Sequence, residues 1–519
     1  MTNTTTRIPY IWTLCVVCVL YVSIKLLRFG RREKHLPPGP PTIPILGNAH
    51  QIVGKNLHRN VYSLKIGKGT MVVLYSKRAV HELVDKRSAI YSERPREQQV
   101  IDTLRHENVG AIDANPVWKA QRKIAVQFLT PTKLDGEIAK IFEAEISKLM
   151  YDLLIGPEDF KNYIKRCTAS AAAIVLYGQR ATSYDDFWAT GVYRTMEIVN
   201  KSLEPGSYPP SEQFPIFKLI PDRWNPAKAR AADSFQTTST IFLESVARVE
   251  QRRNHGDKRD SLLDKMLDGD IKSEVPMVGT QFANFFGALM QAAADTSAIA
   301  MLTHIMFLAQ HPEVQAKARA ELDKVCGTER MPTWHDFKAI PYINCIMKEG
   351  LRISPVVPIG VAHRVKQDDW YEGMLIPKDA MIMIPSWALG RSQYKDPDTY
   401  NPDRYMNHPR LAMDYAGSPD YENRDHYAYG AGRRICAGIN LAERTQWRIL
   451  SRLLWGFNVE RLIDEETGQP IDIDTEAYED GLVPEPKPYR VKITPRSEKH
   501  AEIIRRDFGN IEEFLKKWE

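Results

Sequence analysis

The apolar residues of this chain follow three rhythms, and each predicts a different kind of element. Ile8 to Ile24 (IPYIWTLCVVCVLYVSI) carries neither a formal charge nor a polar face. With Lys25 snorkelling, the run extends to Leu27, near the lower length for a membrane span. Short apolar stretches at Thr70–Tyr75 (TMVVLY), Met381–Ile384 and near Tyr489–Ile493 predict strands. Longer stretches with helical spacing dominate the rest. The longest predicted helix runs from Thr280 to Leu308, ahead of His311-Pro312. Pro312 suits the first turn of the next helix, which runs to Val325 before Gly327, and Ser354-Pro355 ends another over Ile343–Ile353. The expected fold is mainly α with minor mixed β-sheets.

Two segments break these rhythms. Leu36 to Gly47 (LPPGPPTIPILG) contains five prolines, which fix φ and remove backbone donors, so it reads as a stiff spacer. The charged residues 497–519 read as a C-terminal extension. From Gly47 onward there is no internal repeat and no second linker. The resulting order is a lumenal N-terminus over 1–7, a transmembrane anchor over 8–27, a basic and proline-rich linker over 28–47, a large domain over 48–496, and the extension.

Charge sharpens the picture of the N-terminus. The chain has 70 Lys+Arg against 65 Asp+Glu, a net charge of +5. Residues 1–35 hold six basic residues and one acid, which leaves 64 of each sign beyond them. The excess is therefore a topology signal rather than a polyanion-binding surface, and no nucleic-acid partner is expected. A basic block after bulky apolar residues, with no small-residue cleavage site, favours an uncleaved anchor over a signal peptide. By the positive-inside rule the body then faces the cytosol, with Asn3-Thr4-Thr5 as a lumenal glycosylation sequon. A mean hydropathy of -0.38 excludes a multi-span membrane protein, and 10 Trp, 22 Tyr and 17 Phe exclude a disordered chain. None of the six cysteines has the spacing of a disulfide framework or a zinc knuckle.

One cysteine has unusual neighbours. Tyr429-Gly-Ala-Gly-Arg-Arg-Ile-Cys-Ala-Gly438 sets Cys436 among glycines that let backbone lie close to a flat cofactor. A thiolate is a soft, electron-rich ligand for iron, and loop amides with Arg434 are expected to lower its pKa. A glycine-rich surface turn with an inert cysteine is the bland alternative, and the spacing of aromatic, Gly, Arg, Cys and Gly argues against it.

This loop resembles the haem-binding loop of the cytochrome P450 superfamily, and the resemblance runs from Pro37 to about Arg496. It implies that Cys436 is the axial ligand of heme b and that Arg434 meets a haem propionate. Tyr429 stands where the family usually has Phe. Glu349-Gly-Leu-Arg352 is similar to the family's E-x-x-R, and Tyr400-Asn-Pro-Asp-Arg-Tyr405 to its aromatic-x-P-E-R-F segment; together they imply a structural Glu349/Arg352/Arg404 cluster. Ala292-Ala-Ala-Asp-Thr296 is similar to the family's oxygen-groove motif, with Ala293 for the usual Gly, and assigns Asp295 and Thr296 to proton delivery. Trp118-Lys-Ala-Gln-Arg122 matches W-x-x-x-R, and His363 falls where fungal members place a propionate-contacting histidine.

The resemblance further implies reductive activation of O2 and insertion of one oxygen atom into a small hydrophobic substrate. No reductase domain fits beside the body, so electrons from NADPH are expected through a separate NADPH-cytochrome P450 reductase, with cytochrome b5 as a second candidate donor. Lys119 and Lys123 are expected to dock such an acidic partner. Localisation at the endoplasmic reticulum membrane, with lipid around one span, follows from the anchor. The sequence looks most like fungal secondary-metabolism members, which favours an aromatic or polyketide-derived phenolic substrate; a terpenoid or alkaloid remains open. Candidate pocket segments are Arg96 to Ile112, Leu203–Ile220, Phe285 to Ala293, Val356–Ile359 and Leu482–Val483.

Only thirteen residues, Ala49 to Val61, occupy a gap where the family fits an amphipathic helix, through either a trimmed helix or a lost segment. Three rival classes compete with a monooxygenase. A haem-thiolate isomerase or dehydratase is opposed by the Asp295-Thr296 pair, and an inactive binding protein by intact Cys436, Glu349 and Arg352. A cysteine hydrolase lacks an identifiable histidine-plus-carboxylate set.

Overall fold

The computed structural model describes residues 7–48, 61–204 and 206–519, with the backbone alone for residues 7–11. The Asn3 sequon and residues 49–60 of the short segment before the first strand lie outside the described residues.

The N-terminal apolar run forms helix α1 (Arg7–Arg28), whose apolar side chains from Trp12 to Leu27 are exposed. The proline segment that follows is irregular, as five prolines require. It is also fastened to the body. Arg32 donates to Ser63 Oγ at 2.7 Å, Pro38 accepts from the Ser63 amide at 2.9 Å, and Asn48 Oδ1 accepts from the Lys65 amide at 2.9 Å. Those contacts fall on β1 (Val61–Ile66), which pairs antiparallel with β2 (Gly69–Leu74).

Helices then dominate: α2 (Pro116–Phe128), α3 (Glu137–Ile155), α4 (Phe160–Tyr177), α5 (Phe187–Leu203), α6 (Pro226–Asn254), α7 (Thr280–Gln310), α8 (Pro312–Val325) and α9 (Pro341–Ile353). Proline at the first turn starts α2, α6, α8 and α9, where its missing N–H has no intrahelical partner to lose. Strands β3 (His363–Arg364) and β4 (Met381–Met383) complete a four-stranded mixed sheet in the order β1-β2-β4-β3, with β2 and β4 parallel. Helix α10 (Ile439–Gly456) and the antiparallel pair β5 (Phe457–Arg461) and β6 (Val491–Pro495) follow.

The 31-residue α7 is the axis of the fold, packed against α4, α5, α6, α9 and α10. Among the helices whose side chains are described throughout, it is the one both long and apolar enough to cross a membrane, and it is instead largely buried in the core. The charged extension is helix α11 (Glu498–Lys516), which buries Ala501, Ile503, Ile504 and Leu515 against α3 and α10. Its high charge belongs to the outer face of an amphipathic helix.

Candidate functional site

The cysteine loop joins a short turn over Gly432–Arg434 to the start of α10. Gly432 has φ +61° and its amide donates to Asp85 Oδ1 at 2.7 Å; a Cβ there would lie 2.3 Å from the Val84 carbonyl oxygen, so the position takes only glycine. The Cys436 amide donates to the Tyr429 carbonyl at 2.9 Å, which closes the loop. Helix α10 begins three residues beyond Cys436, so the positive end of its dipole lies near the sulfur.

Cys436 lines a cleft of about 510 Å³ with Trp118, Arg122, Leu129, Ile435 and Ile439. Its side chain is reachable from that hollow yet surrounded by protein, and burial raises the thiol pKa. The Gly438 amide and the Arg122 charge pull the other way without prevailing. This corrects the expectation that the loop lowers the pKa, and the cation that acts on the sulfur is Arg122 rather than Arg434. A cation bound at the sulfur would favour its thiolate form.

Beside the cleft, three guanidinium groups lack a carboxylate partner among the described residues. Arg94 donates to the carbonyls of Gly110 at 2.7 Å and Ala362 at 2.6 Å. Arg434 donates to Ser92 O at 2.9 Å and Ile112 O at 2.6 Å, and Arg122 to Ile435 O. Arg434 also lies over the Trp118 ring, 4.3 Å from its centroid. Burial and mutual repulsion lower Arg94 to about 9, and burial lowers Arg434 to about 10. Arg94 and Arg434 are hydrogen-bonded only to neutral carbonyls, with Glu93 and Asp113 acting on Arg434 from a distance. Such buried cations are costly, and an anionic ligand would offset that cost. The cluster thus fits a group with carboxylates beside a thiolate-bound metal.

His363 joins this cluster. Its Nδ1 donates to Tyr91 O at 2.7 Å, and burial with the nearby Arg94 charge lowers its pKa to about 3. Donation from Nε2 as well requires the imidazolium, which a carboxylate beside it would favour. Arg94 was not singled out from the sequence. Nothing in Ser-Glu-Arg-Pro marks it, because its role depends on a loop folding back against Val361 and Ala362.

Asp295 and Thr296, adjacent in sequence, face different ways. Leu289, Ala292, Ala293 and Thr296 are partly or fully exposed within the otherwise buried middle of the helix. They share one face, so the stripe marks an internal hollow. Thr296 Oγ1 donates to the Ala292 carbonyl at 2.6 Å, which leaves its lone pairs toward that hollow. Asp295 is buried and lies near the Lys165–Glu485 ion pair, 2.7 Å apart. Burial raises its pKa to about 7. Phe285, proposed for the pocket, is fully buried and packs edge-on against Phe286 with centroids 5.4 Å apart, so it belongs to the core. Ile359 remains exposed, at the far end of the predicted Val356–Ile359 segment.

The brace predicted around Glu349 is complete. Arg352 donates to both Glu349 oxygens at 2.7 and 2.8 Å, the Asn401 amide donates at 2.7 Å, and Arg404 lies 3.4 Å away.

The cytochrome P450 family model matches residues 37–493. The chain belongs to the cytochrome P450 family. It is 36% identical to the cytochrome P450 monooxygenase yanC of Aspergillus niger, over 96% of this chain and 97% of that protein. It is equally 36% identical to the cytochrome P450 monooxygenase macC of Penicillium terrestre, over 97% of both chains. A zebrafish cytochrome P450 solved with abiraterone shares the fold, with a TM-score of 0.65 at 20% identity over 84% of this chain and 97% of that one. This P450 is an oxidoreductase that incorporates oxygen from O2, and its family carries haem on a cysteine thiolate.

Proposed function

We propose that this P450 inserts one oxygen atom from O2 into a small hydrophobic substrate, by hydroxylating an aromatic or polyketide-derived phenolic compound in fungal secondary metabolism. The observation that carries the haem reading is the cluster of buried Arg94 and Arg434 with half-buried Arg122, none of them ion-paired to a carboxylate among the described residues, beside the Cys436 cleft. In it Cys436 is the iron ligand, and Trp118, Arg94, Arg122, His363 and Arg434 hold the propionates. Haem bound there supplies reductive activation of O2.

The chain's own residues do the rest. Ala292 and Ala293 are small enough to leave room at the α7 face. Thr296 offers hydroxyl lone pairs to a proton donor in the hollow, and its own proton is held by Ala292 O. Asp295, with a pKa near 7, holds or gives up a proton at working pH and lies where Lys165, Glu485 and Lys161 lead toward solvent. The apolar residues Leu289, Val356 and Ile359 would bind a flat hydrophobic substrate and exclude water. The fungal origin of the similar monooxygenases supports the choice of substrate class.

Electrons are assigned to NADPH through a separate cytochrome P450 reductase, with cytochrome b5 as an accessory donor. The protein is placed on the endoplasmic reticulum membrane, with α1 as the single span and the body in the cytosol. The exposed apolar face of α1 supports this, as do the exposed Ile216, Leu219 and Trp224 of the α5–α6 connection. Phe214 of that connection lies near Phe29 at the end of α1, with ring centroids 6.1 Å apart.

A reduced carbon monoxide difference spectrum tests the ligand, with a thiolate-type Soret band expected in the unmutated protein and lost in Cys436→Ser. NADPH-dependent turnover of small phenols with added reductase tests the substrate class. Turnover of terpenoids or alkaloids alone would overturn it.

A further inference from the structure

Three polar side chains on three separate elements form a chain beneath the cysteine loop. Gln446 Nε2 on α10 donates to the Tyr429 hydroxyl at 3.1 Å, and Gln446 Oε1 accepts from His304 Nε2 on α7 at 3.2 Å. Gln446 and His304 are both buried, and His304 Nδ1 has no hydrogen-bond partner. Burial lowers the imidazole pKa to about 4 and keeps it neutral. Gly350, inside the Glu349–Arg352 brace, makes the space for that ring. A Cβ at Gly350 would lie 2.3 Å from His304 Cε1 and Nδ1.

Tyr429 is held at both ends. Its carbonyl accepts the Cys436 amide at 2.9 Å, and its hydroxyl accepts from Gln446. A single primary amide can serve a phenol and an imidazole together only when all three orientations agree, so the groups act as one unit. A phenylalanine at 429 would leave the Gln446 amide short of a partner in a dry interior.

We propose that Gln446 and His304 are positioning residues that act through Tyr429, locking the cysteine loop to the helix that bears Asp295 and Thr296 and setting the electron donation of the Cys436 thiolate. The proposal rests on Cys436 being the haem ligand. His304 lies on α7 eight residues beyond Thr296 and Tyr429 lies in the loop that bears Cys436, so this chain of hydrogen bonds ties one element to the other.

The test uses the full-length holoenzyme with two readouts, the ferric–ferrous midpoint potential and the rate at which the ferrous carbon monoxide complex loses its thiolate-type band in mild urea. Tyr429→Phe and Gln446→Leu are each expected to shift the potential in the same direction and to speed band loss roughly tenfold. The double variant is expected to go no further than the larger single. Gly350→Ala crowds His304 without touching the amide or the phenol, and is expected to shift the potential the same way. Potentials unmoved in Tyr429→Phe and Gln446→Leu would overturn the proposal, as would additive shifts in the double variant. Tyr429→Phe is nearly isosteric and decides the matter alone if the others do not fold. A missing thiolate band in the unmutated protein would overturn the ligand assignment itself, which separates the two failures.

Discussion

Arg352 meets both carboxylate oxygens of Glu349 through Nε and Nη2, and neither side chain is exposed to solvent at all. A bidentate pair this dry is weak as a net source of stability but costly to break, because either residue left alone is an uncompensated buried charge. Glu349→Gln also weakens acceptance from the Asn401 amide, and Arg352→Leu frees the carbonyls of Pro397 and Thr399. Each change is expected to cost about 3–5 kcal/mol. Denaturant melts of the purified protein, where any is recovered, check the magnitude.

The guanidinium cluster predicts a graded effect on haem retention. Arg434→Leu and Arg94→Leu each remove a buried cation and leave three carbonyls without that donor. We expect haem loss to an apomyoglobin acceptor to accelerate roughly tenfold per single variant, and Arg434→Lys to restore part of the loss. Equal loss rates in the unmutated protein and Arg94→Leu would remove Arg94 from the site.

Adjacent positions divide the proton chemistry on α7. Thr296→Ala leaves the helix intact and removes the hydroxyl that faces the hollow, so NADPH consumption should continue while product per NADPH falls severalfold. Asp295 has a folded pKa of about 7, above its usual value. The folded state therefore favours the protonated acid, and stability falls as pH rises from about 4 to about 7, then levels off. Asp295→Asn should remove that slope, which urea melts across pH would register.

What could be read along the chain was whatever lay within a few residues. Pro312 at a first turn placed α8, Ser354-Pro355 placed the end of α9, and the spacing around Cys436 placed the loop. Glu349 and Arg352 are three apart on one helix, so their pairing was legible. The third arginine of the guanidinium cluster was not, because Arg94 reaches Ala362 across 268 positions. Helical spacing alone also could not tell that Phe285 faces the core while Ala292 faces the hollow, since both sides of α7 are apolar. The packing of the charged tail was hidden for a similar reason. Its buried stripe of Ala501, Ile504 and Leu515 is narrow, and only the packing of α11 on α3 shows what it covers.

Buried histidines make the fold acid-sensitive. Burial and the neighbouring cations Lys348, Arg424 and Lys77 lower His426 to about 3. Its unfolded form gains a proton near pH 6.5 while the folded form does not, so stability is lost as pH falls from 6.5 toward 3. One such histidine contributes a slope of about 1.4 kcal/mol per pH unit. Urea melts of His426→Asn between pH 6.5 and 4.5 should show a slope smaller by about that amount, although Asn still accepts from the Ala428 amide through its side chain.

The remaining prediction concerns how electrons enter. Lys119 and Lys123 lie one turn apart on α2, and Lys119 lines the Cys436 cleft along with Arg433 and Arg122. Lys123 is already paired with Glu274, so its charge is partly neutralised, and Lys119 has the greater share in attracting an acidic partner. Lys119→Glu should therefore slow reductase association more than Lys123→Glu does, by roughly tenfold at low ionic strength. The deficit should shrink as salt rises past about 0.15 M, where the screening length falls to about 8 Å. Stopped-flow reduction under carbon monoxide, run against reductase concentration at several salt levels, separates association from electron transfer. Unchanged association and salt dependence in the Lys119→Glu, Lys123→Glu double variant would place the docking surface elsewhere on the body.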